Sequence, residues 1–508
     1  MDINIGRFLA TRARLDGGRP ALIAGERRLT FAELDREACR AANVLSEHGV
    51  GAGDRVAVLL RNGVDYIALY YAAAKLGAIL CGINWRLAAP EVDFILGDGE
   101  PKLLIHDAEF APTIEALGRR GFPVYDAGAE DRGSYRALLR DAADREPAGV
   151  AEFGAADPDA ALVLVYTSGT TGRPKGAVLT HRQMFWASAT MAASHDYKRG
   201  DVNLVPTPLF HVGGLSFATL FVHMGATLLL PRAWDPGSVL RLIAAERANH
   251  FFAVPAMLRS LLDHPDFGAA DLASLRWILC GGAPVPAGLI AAFGRRGVAV
   301  QQTYGATETA GPATLVDLDH VASKPGSAGL PYVHTDLRVV DKSGRELPAG
   351  EIGEVQIRAP HVFAGYWRNA EATRAAFAGD WLKTGDLGRR GGDGYLYIVD
   401  RAKDVIISGG ENVYPAEIEA VLREHPGISE VAVVGVPDGD WGEVPCAVIV
   451  PVPGRILTLE DIQKFCAGKL ARYKLPRRLA LNTQPLPRNA AGKLLKQAIR
   501  ADLSKSGT

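Results

Sequence analysis

Hydrophobic and polar positions follow two different patterns along the chain. Between about residue 55 and residue 300, short apolar runs rich in β-branched residues are each followed by a helical pattern, which predicts βαβ units with parallel sheets. RVAVLL followed by GVDYIALYYAAAKLG is one such pair. After about residue 325 the apolar runs are broken by Gly-rich turns, as in LRVVDKSGRELPAGEIGEVQIRA, which predicts antiparallel strands. The fold class is therefore α/β: a large N-terminal domain of helix-covered, mostly parallel sheets with a β-rich subdomain.

The pattern changes again at Asp400, where a strand ends in a charged turn. A glycine pair follows, and a helix is predicted to begin near Pro415. The remaining residues carry a small α/β pattern of their own. Because 508 residues are too many for one hydrophobic core, we predict an N-terminal domain over residues 1–399 and a small C-terminal α/β domain over residues 400–508.

Composition narrows the possible partners. The 56 Lys and Arg residues balance 57 Asp and Glu residues, so no whole-protein field recruits nucleic acid or an anionic membrane. The five cysteines are scattered and never spaced as C-x-x-C, which argues against a disulfide scaffold or a zinc cage. The charged N-terminus lacks a signal-peptide pattern. We expect a cytoplasmic protein with no nucleic-acid partner.

The most apolar segment covers residues 66–83. Lys75 and Gly77 interrupt it, so the segment is predicted to form a buried helix and a buried strand. We therefore expect no integral membrane segment.

The stretch TSGTTGRPKG follows the apolar run ALVLVY at residues 161–166. Backbone N–H groups converge at the end of a parallel strand, and glycine allows a ligand to approach them, so phosphate is the natural ligand. Lys175 precedes Gly176, which departs from the G-x-x-x-x-G-K-[ST] pattern of kinases and GTPases. A flexible linker would not require a fixed lysine and proline. The stretch predicts a nucleotide-phosphate site of another kind.

With its flanking tyrosine, this stretch resembles the signature loop of the adenylate-forming enzymes. That superfamily contains acyl-CoA synthetases, adenylation domains of peptide synthetases and firefly luciferase. Six more segments resemble its motifs and occur in its order: PLFHVGG, GGAP, YGATE, WLKTGD, DRAKDVIISGGENVYPAEIE and PRNAAGK. The resemblance implies that the protein uses ATP and Mg²⁺ to convert a carboxylic acid to an acyl-adenylate, releases pyrophosphate, and then transfers the acyl group to CoA.

The resemblance also implies a role for individual residues. The β- and γ-phosphates of ATP would be held by the signature loop, namely Thr167, Ser168, Gly169, Thr170, Thr171, Gly172 and Lys175. Tyr304 would stack on adenine, and Thr307 would bond the α-phosphate. Thr167 and Glu308 would hold magnesium, which prefers oxygen ligands.

Further roles are implied in the C-terminal part of the chain. Asp386 and Arg401 would contact the ribose, and Lys493 would bridge the carboxylate and the α-phosphate. In the family the C-terminal domain rotates about the position of Asp400 between the two half-reactions. Gly409 and Gly410 would then let the pantetheine arm of CoA pass close to the backbone.

His211 is open to two interpretations. A lone histidine after an apolar run is more often packed than catalytic, and no second ligand stands at metal spacing from it. The family motif, by contrast, places this histidine beside the acyl carboxylate. We therefore include His211 in the catalytic set, with a role in orienting the substrate rather than in acid–base chemistry.

The pocket walls are expected from residues 211–216, 281–283 and 302–312, which are small and mostly uncharged. Gly282 and Ala283 are also counted with the nucleotide-binding residues. A second charge on the acid would be costly to bury there, which favours a monocarboxylic acid with an apolar body.

Overall resemblance favours a fatty acid, and aryl acids such as benzoates or hydroxycinnamates are the alternative. The absence of a carrier domain after Lys493 favours CoA as the acceptor. Luciferase-like oxygen chemistry is not excluded by motif. A nucleotide-binding protein without catalysis is the alternative from a different class.

Overall fold

The structure, a computed structural model, describes residues 3–118, 120–129, 131, 134–147, 157–167, 174–408, 411–488 and 494–506. The chain divides into two compact units, Met1–Asp336 with Ile357–Leu382, and Leu337–Gln356 with Lys383–Thr508. The predicted α/β class is confirmed. The predicted division at Asp400 concerns a moving domain and stays a prediction.

Helices occur throughout the described residues. They are α1 Gly6–Asp16, α2 Phe31–Glu47, α3 Val64–Leu76, α4 Ala89–Gly99, α5 Ala111–Leu117, α6 Tyr135–Asp141, α7 His181–Ser194, α8 Val212–Met224, α9 Pro236–Glu246, α10 Pro255–Leu262, α11 Ala287–Gly294, α12 Ala370–Ala376, α13 Pro415–Leu422, α14 Leu459–Cys466 and α15 Lys496–Ser506. Among the described residues, no helix is both long and apolar enough to cross a membrane.

The strands are β1 Pro20–Ala24, β2 Arg27–Thr30, β3 Arg55–Leu59, β4 Ile79–Gly82, β5 Leu103–His106, β6 Val124–Asp126, β7 Ala161–Thr167, β8 Lys175–Thr180, β9 Val202–Leu204, β10 Thr227–Leu229, β11 His250–Ala253, β12 Trp277–Cys280, β13 Ala299–Tyr304, β14 Thr314–Leu315, β15 Leu330–Pro331, β16 Asp336–Val340, β17 Gly353–Arg358, β18 Gly365–Tyr366, β19 Phe377–Ala378, β20 Trp381–Arg390, β21 Leu396–Arg401, β22 Ile406–Ser408, β23 Glu411–Val413, β24 Ile428–Asp438, β25 Gly442–Pro451 and β26 Arg478–Leu481.

The first unit contains two large sheets. One has the order β15-β14-β13-β12-β11-β9-β10-β1-β2, and its run from β13 to β1 is parallel throughout. The other has the order β18-β8-β7-β4-β3-β5-β6, in which β8 pairs antiparallel with both β7 and β18. Helices follow most of the parallel strands, as the alternating pattern predicted. The carboxyl ends of parallel strands therefore form the edges at which ligands are expected.

The apolar segment over residues 66–83 forms α3 and β4, as predicted, and α3 is buried on all sides. The Lys75 ammonium is fully buried and lies 2.8 Å from an Asp35 oxygen and 2.5 Å from a Glu146 oxygen. A buried charge is tolerated when it is paired in this way. Lys75, whose charge argued against a membrane span, is thus part of a network of ion pairs inside the first unit.

Strand β11 separates two hydrophobic cores. Phe251 is buried with Val239, Leu258 and Ile278 in one core. Phe252 packs against the other core, on the opposite face of the strand, as the alternation of side chains requires.

The second unit is rich in strands. β16, β17 and β20 are neighbours in one sheet in that order, and β21 also pairs antiparallel with β20. A second sheet has the order β23-β22-β25-β24, with β26 parallel to β25. The core of this second sheet is covered by α13 and α14. This is the small α/β pattern predicted for the C-terminal residues.

Candidate active site

Two strand ends bring the GGAP and YGATE motifs together. β12 and β13 are parallel neighbours with Cys280 opposite Gln302, so the residues that follow them lie at one edge of the sheet. A Cβ atom at Gly281 would lie 2.5 Å from the Thr303 carbonyl oxygen, closer than real Cβ atoms come. Glycine at this position therefore permits the close approach of the two segments, and Tyr304 lies beside them.

A tight turn carries Glu308. Residues Thr307–Thr309 form a single 3₁₀ turn, and Ala310 after it has a left-handed φ of +52°. A Cβ at Gly305 would lie 1.6 Å from the Gly311 carbonyl oxygen, so no larger residue fits the turn as it stands. The Ala306 N–H donates to the Thr309 hydroxyl over 2.9 Å. The motif is thereby folded back on itself, which fixes the backbone that carries Glu308.

Tyr366 connects Glu308 to the signature loop. Its hydroxyl donates a 2.8 Å hydrogen bond to Oε1 of Glu308, and its ring centroid lies 5.3 Å from the Lys175 ammonium. β18 pairs with β8, which places Tyr366 opposite Ala177 and so beside the start of β8. The structure thus brings together two predicted site residues that are more than a hundred positions apart.

The signature loop leaves and re-enters the sheet at adjacent points. Thr167 is opposite Lys175 in the antiparallel pair of β7 and β8. Both ends of the loop are therefore placed at the carboxyl end of β7, as predicted. Five predicted phosphate-binding residues lie outside the described residues, namely Ser168, Gly169, Thr170, Thr171 and Gly172.

His211 caps the N-terminus of α8 with its backbone in an extended conformation. A Cβ at Gly214 would lie 2.4 Å from the Pro208 carbonyl oxygen, so glycine allows the chain to turn sharply into the helix. The imidazole ring lies 4.6 Å from the Phe210 ring, and its Nε2 is buried without a hydrogen-bond partner among the described residues. Burial, with repulsion from Arg86, lowers the pKa of His211 to about 4. The ring is therefore neutral at physiological pH.

The second unit holds the predicted ribose residues. Asp386 and Arg401 are opposite each other in the β20–β21 pair, with 2.6 Å between Arg401 Nε and an Asp386 oxygen. Asp386 is buried, and its N–H donates to the Thr384 hydroxyl over 3.1 Å. The predicted pair is thus adjacent in the structure.

Asp400, the predicted hinge residue, is also held in place. Its two oxygens accept hydrogen bonds from the Arg401 N–H at 2.7 Å and the Ala416 N–H at 2.8 Å. Burial raises the pKa of its carboxyl group. Gly409, Gly410 and Lys493 lie outside the described residues.

The sequence interpretation missed two residues that support Glu308. Tyr366 carried no signal beyond an aromatic residue after glycine in the stretch GYW. His361 is fully buried, and its Nδ1 donates to the Thr309 carbonyl over 2.9 Å while its Nε2 accepts from the Thr335 hydroxyl at 3.1 Å. Burial lowers the pKa of His361 to about 4, so this neutral tautomer persists at physiological pH.

The chain matches the AMP-binding enzyme family over residues 9–367 and the AMP-binding enzyme C-terminal domain over residues 417–493. It therefore belongs to the AMP-binding enzymes, the adenylate-forming superfamily that its motifs resemble.

Individual relatives within this family are named as enzymes that form CoA thioesters. A feruloyl-CoA synthase from Amycolatopsis sp is 41% identical over 98% of this chain and 98% of its own length. The long-chain-fatty-acid–CoA ligase FadD13 of Mycobacterium tuberculosis is 42% identical over 99% of both chains. A structure of o-succinylbenzoate coenzyme A synthetase from Bacillus subtilis, in complex with ATP and magnesium ion, is 33% identical, covers 98% of this chain and 99% of that chain, and has a TM-score of 0.86. The protein is an AMP-forming acyl-CoA ligase.

Proposed function

We propose that this protein activates a hydrophobic monocarboxylic acid with ATP to an acyl-adenylate, releases pyrophosphate, and transfers the acyl group to CoA. The observation that carries the proposal is the contact of Tyr366 with both Glu308 and Lys175. A carboxylate and an ammonium group on two sides of one side chain, next to the ends of the signature loop, suit a nucleotide phosphate with its metal ion.

The residues fit a magnesium nucleotide. Glu308 is half-buried, and its Oε1 accepts the hydrogen bond from Tyr366. This bond orients the carboxylate and involves only one of its two oxygens. Thr167, at the end of β7, offers a hydroxyl oxygen, and magnesium prefers such hard oxygen ligands. When bound, magnesium neutralises charge on the phosphate oxygens.

The remaining roles follow from the reaction. Attack of a carboxylate on the α-phosphate spreads negative charge over the phosphates, so positioning and cationic groups matter more than a protein nucleophile. We assign the α-phosphate to Thr307 and adenine to Tyr304. Lys493 is proposed to bridge the acid and the α-phosphate. The neutral ring of His211 orients the carboxylate of the acid through a hydrogen bond and does not exchange a proton with it.

The ribose is assigned to Asp386 and Arg401. Arg401 already pairs with the Asp386 carboxylate, whose oxygens can accept hydrogen bonds from the ribose hydroxyls. Gly409 and Gly410 are proposed to pass the pantetheine arm of CoA.

The reaction is tested with the full-length protein, ATP, magnesium, CoA and a panel of carboxylic acids. We expect AMP and pyrophosphate to form only when an acid is present, and an acyl-CoA to form when CoA is added. Formation of ADP would contradict the proposal. Binding of ATP without turnover on any acid would support the non-catalytic alternative instead.

A further inference from the structure

We infer that Phe252 closes the far end of the acyl pocket and that the acid carries a planar aromatic ring rather than a long alkyl chain. The inference rests on the proposed function and narrows the class of its substrate. Relatives of almost equal identity are named for a feruloyl and for a long-chain acyl substrate, so identity alone does not choose between the two classes.

The position of Phe252 places it at the expected pocket. It is the penultimate residue of β11 and is opposite Leu279 of β12, two residues before Gly281. On its other side, a Cβ at Gly213 would lie 3.0 Å from the Phe252 ring. Gly213 follows His211 by two residues. The phenyl ring therefore lies against the start of α8, close to His211 along the chain.

Part of this ring is accessible. Phe252 is half-buried, whereas Phe251 on the other face of the same strand is 1% exposed. One face of the Phe252 ring stacks on Phe217 of α8, with centroids 5.2 Å apart and planes inclined by 17°. The part of the ring that stays exposed is available to a ligand. Because residue 213 is glycine, no side chain from that position covers the ring.

The space beyond Phe252, between α8 and the sheet, is filled by other rings. Phe217 contacts Phe221 at 5.9 Å, Phe221 contacts Tyr197 at 5.5 Å, and Tyr197 contacts Trp277 at 5.1 Å. Each of these four side chains is at most 8% exposed. A long alkyl chain running past Phe252 would have to open this packed layer, and protein interiors resist such insertion strongly.

A planar acid needs no such opening. Its carboxylate would lie by His211, and its ring would stack on the accessible face of Phe252 in the offset arrangement that aromatic pairs prefer. Glycine at position 213 leaves exposed backbone beside the Phe252 ring, which suits a planar ligand. Phe252 thus acts as a specificity-determining residue.

The test uses acid-dependent ATP–pyrophosphate exchange by the full-length protein with benzoate, cinnamate, 4-hydroxycinnamate, octanoate and dodecanoate. We expect the wild type to prefer an aryl acid to dodecanoate. Phe252→Ala should lower the ratio of kcat/KM for the aryl acid to that for dodecanoate by about tenfold or more, mainly through KM, since shape changes in an apolar pocket have effects of that size. Phe252→Leu should move the ratio in the same direction by less.

Phe251→Leu is the matched control, because it alters the same strand on its other face and should leave the ratio unchanged. The ratio compares two acids on one preparation, so partial unfolding of a variant does not change it. If Phe252→Ala fails to fold, Phe252→Leu provides the test of the inference. A wild type that prefers dodecanoate, or a ratio that neither Phe252 variant moves, would overturn the inference while leaving the ligase activity established. If none of the acids supports ATP–pyrophosphate exchange, the proposed function itself is overturned.

Discussion

At the scale of single residues, the site depends on side chains that act through others. Tyr366 bonds Glu308, and His361 holds the carbonyl of the next residue, Thr309. A metal-binding carboxylate is usually oriented by such supporting partners. Loss of one partner lowers the affinity for the metal ion more than it lowers the stability of the fold. Residues that contact Glu308 are therefore expected to affect the affinity for magnesium, even though they need not contact the nucleotide.

Tyr366→Phe tests this expectation, because it removes the hydroxyl and keeps the ring beside Lys175. We expect the magnesium concentration that supports half-maximal ATP binding to rise by about tenfold, the lower end of the usual effect of a supporting partner. Titration calorimetry of ATP at several magnesium concentrations measures this directly. Tyr70→Phe is the control, since the Tyr70 hydroxyl bonds Thr219 inside the core. An unchanged magnesium dependence in Tyr366→Phe, or an equal change in the control, would contradict the expectation.

The charge state of His211 leads to a prediction about pH. Burial lowers its pKa to about 4, so the folded protein keeps the ring neutral while an unfolded chain protonates it below about pH 6.5. The ring therefore opposes folding increasingly as the pH falls from about 6.5 towards 4, and it is neutral throughout the range from pH 6 to 8. NMR titration of His211, assigned with His211→Asn, should show no protonation step above pH 5.5. A step near pH 6.5 would show that the ring is solvated instead.

At the scale of elements, glycines decide how closely the motif segments approach. The 3₁₀ turn of Thr307–Thr309 closes on itself only because Gly305 has no side chain towards Gly311. The same reasoning applies to Gly281 against the Thr303 carbonyl. These positions do not need positive φ angles. They need the absence of a Cβ.

Gly305→Ala should therefore displace the turn and with it Glu308. We expect ATP affinity in the presence of magnesium to fall at least tenfold and the free energy of unfolding to fall by about 1–3 kcal/mol, the usual cost of overpacking. Gly288→Ala is the matched control, because no atom lies within 4 Å of a Cβ at this helical glycine, and alanine there should be neutral or slightly stabilising. Calorimetry and thermal unfolding of both variants make the comparison. Equal ATP affinity in the two would refute the role of Gly305.

At the scale of the whole molecule, the two half-reactions are predicted to use different residues of the C-terminal part. Lys493 would serve adenylation, and the glycine pair Gly409 and Gly410 would serve thioester formation. Such a division of labour requires a domain movement between the steps, which we place at Asp400. The bonds from Asp400 to the backbone of Arg401 and Ala416 would anchor the residue that follows the predicted N-terminal domain.

Lys493→Ala should separate the two steps. We expect acid-dependent ATP–pyrophosphate exchange to fall by about a hundredfold or more, because a positioned cationic group at the reacting phosphate contributes on that order. Conversion of a supplied acyl-adenylate and CoA to acyl-CoA should change little. Lys469→Ala, which alters an exposed lysine of the same unit, is the control and should affect neither step. Equal loss of both steps in Lys493→Ala would argue against the movement.

The sequence by itself determined the elements and the family. Apolar periodicity is local, so the buried helix before β4, the strand before the signature loop and the helix at Pro415 were predicted close to where they lie. The motifs also singled out Lys175 and Glu308 as candidate site residues, since each motif keeps its chemistry within a few consecutive residues. The order of seven motifs was enough to indicate the class of reaction.

Only the tertiary structure decided which distant residues meet. Tyr366 bonds Glu308 across 58 positions of the chain, and Phe252 stacks on Phe217 across two separate elements. Such contacts depend on which strand ends share a sheet edge and on which face of a strand each side chain projects. Strand order and register result from packing of the whole unit, and no local pattern encodes them. Phe251 and Phe252 are neighbours of one type in the sequence, yet the sheet buries the first and leaves the second partly exposed on its other face.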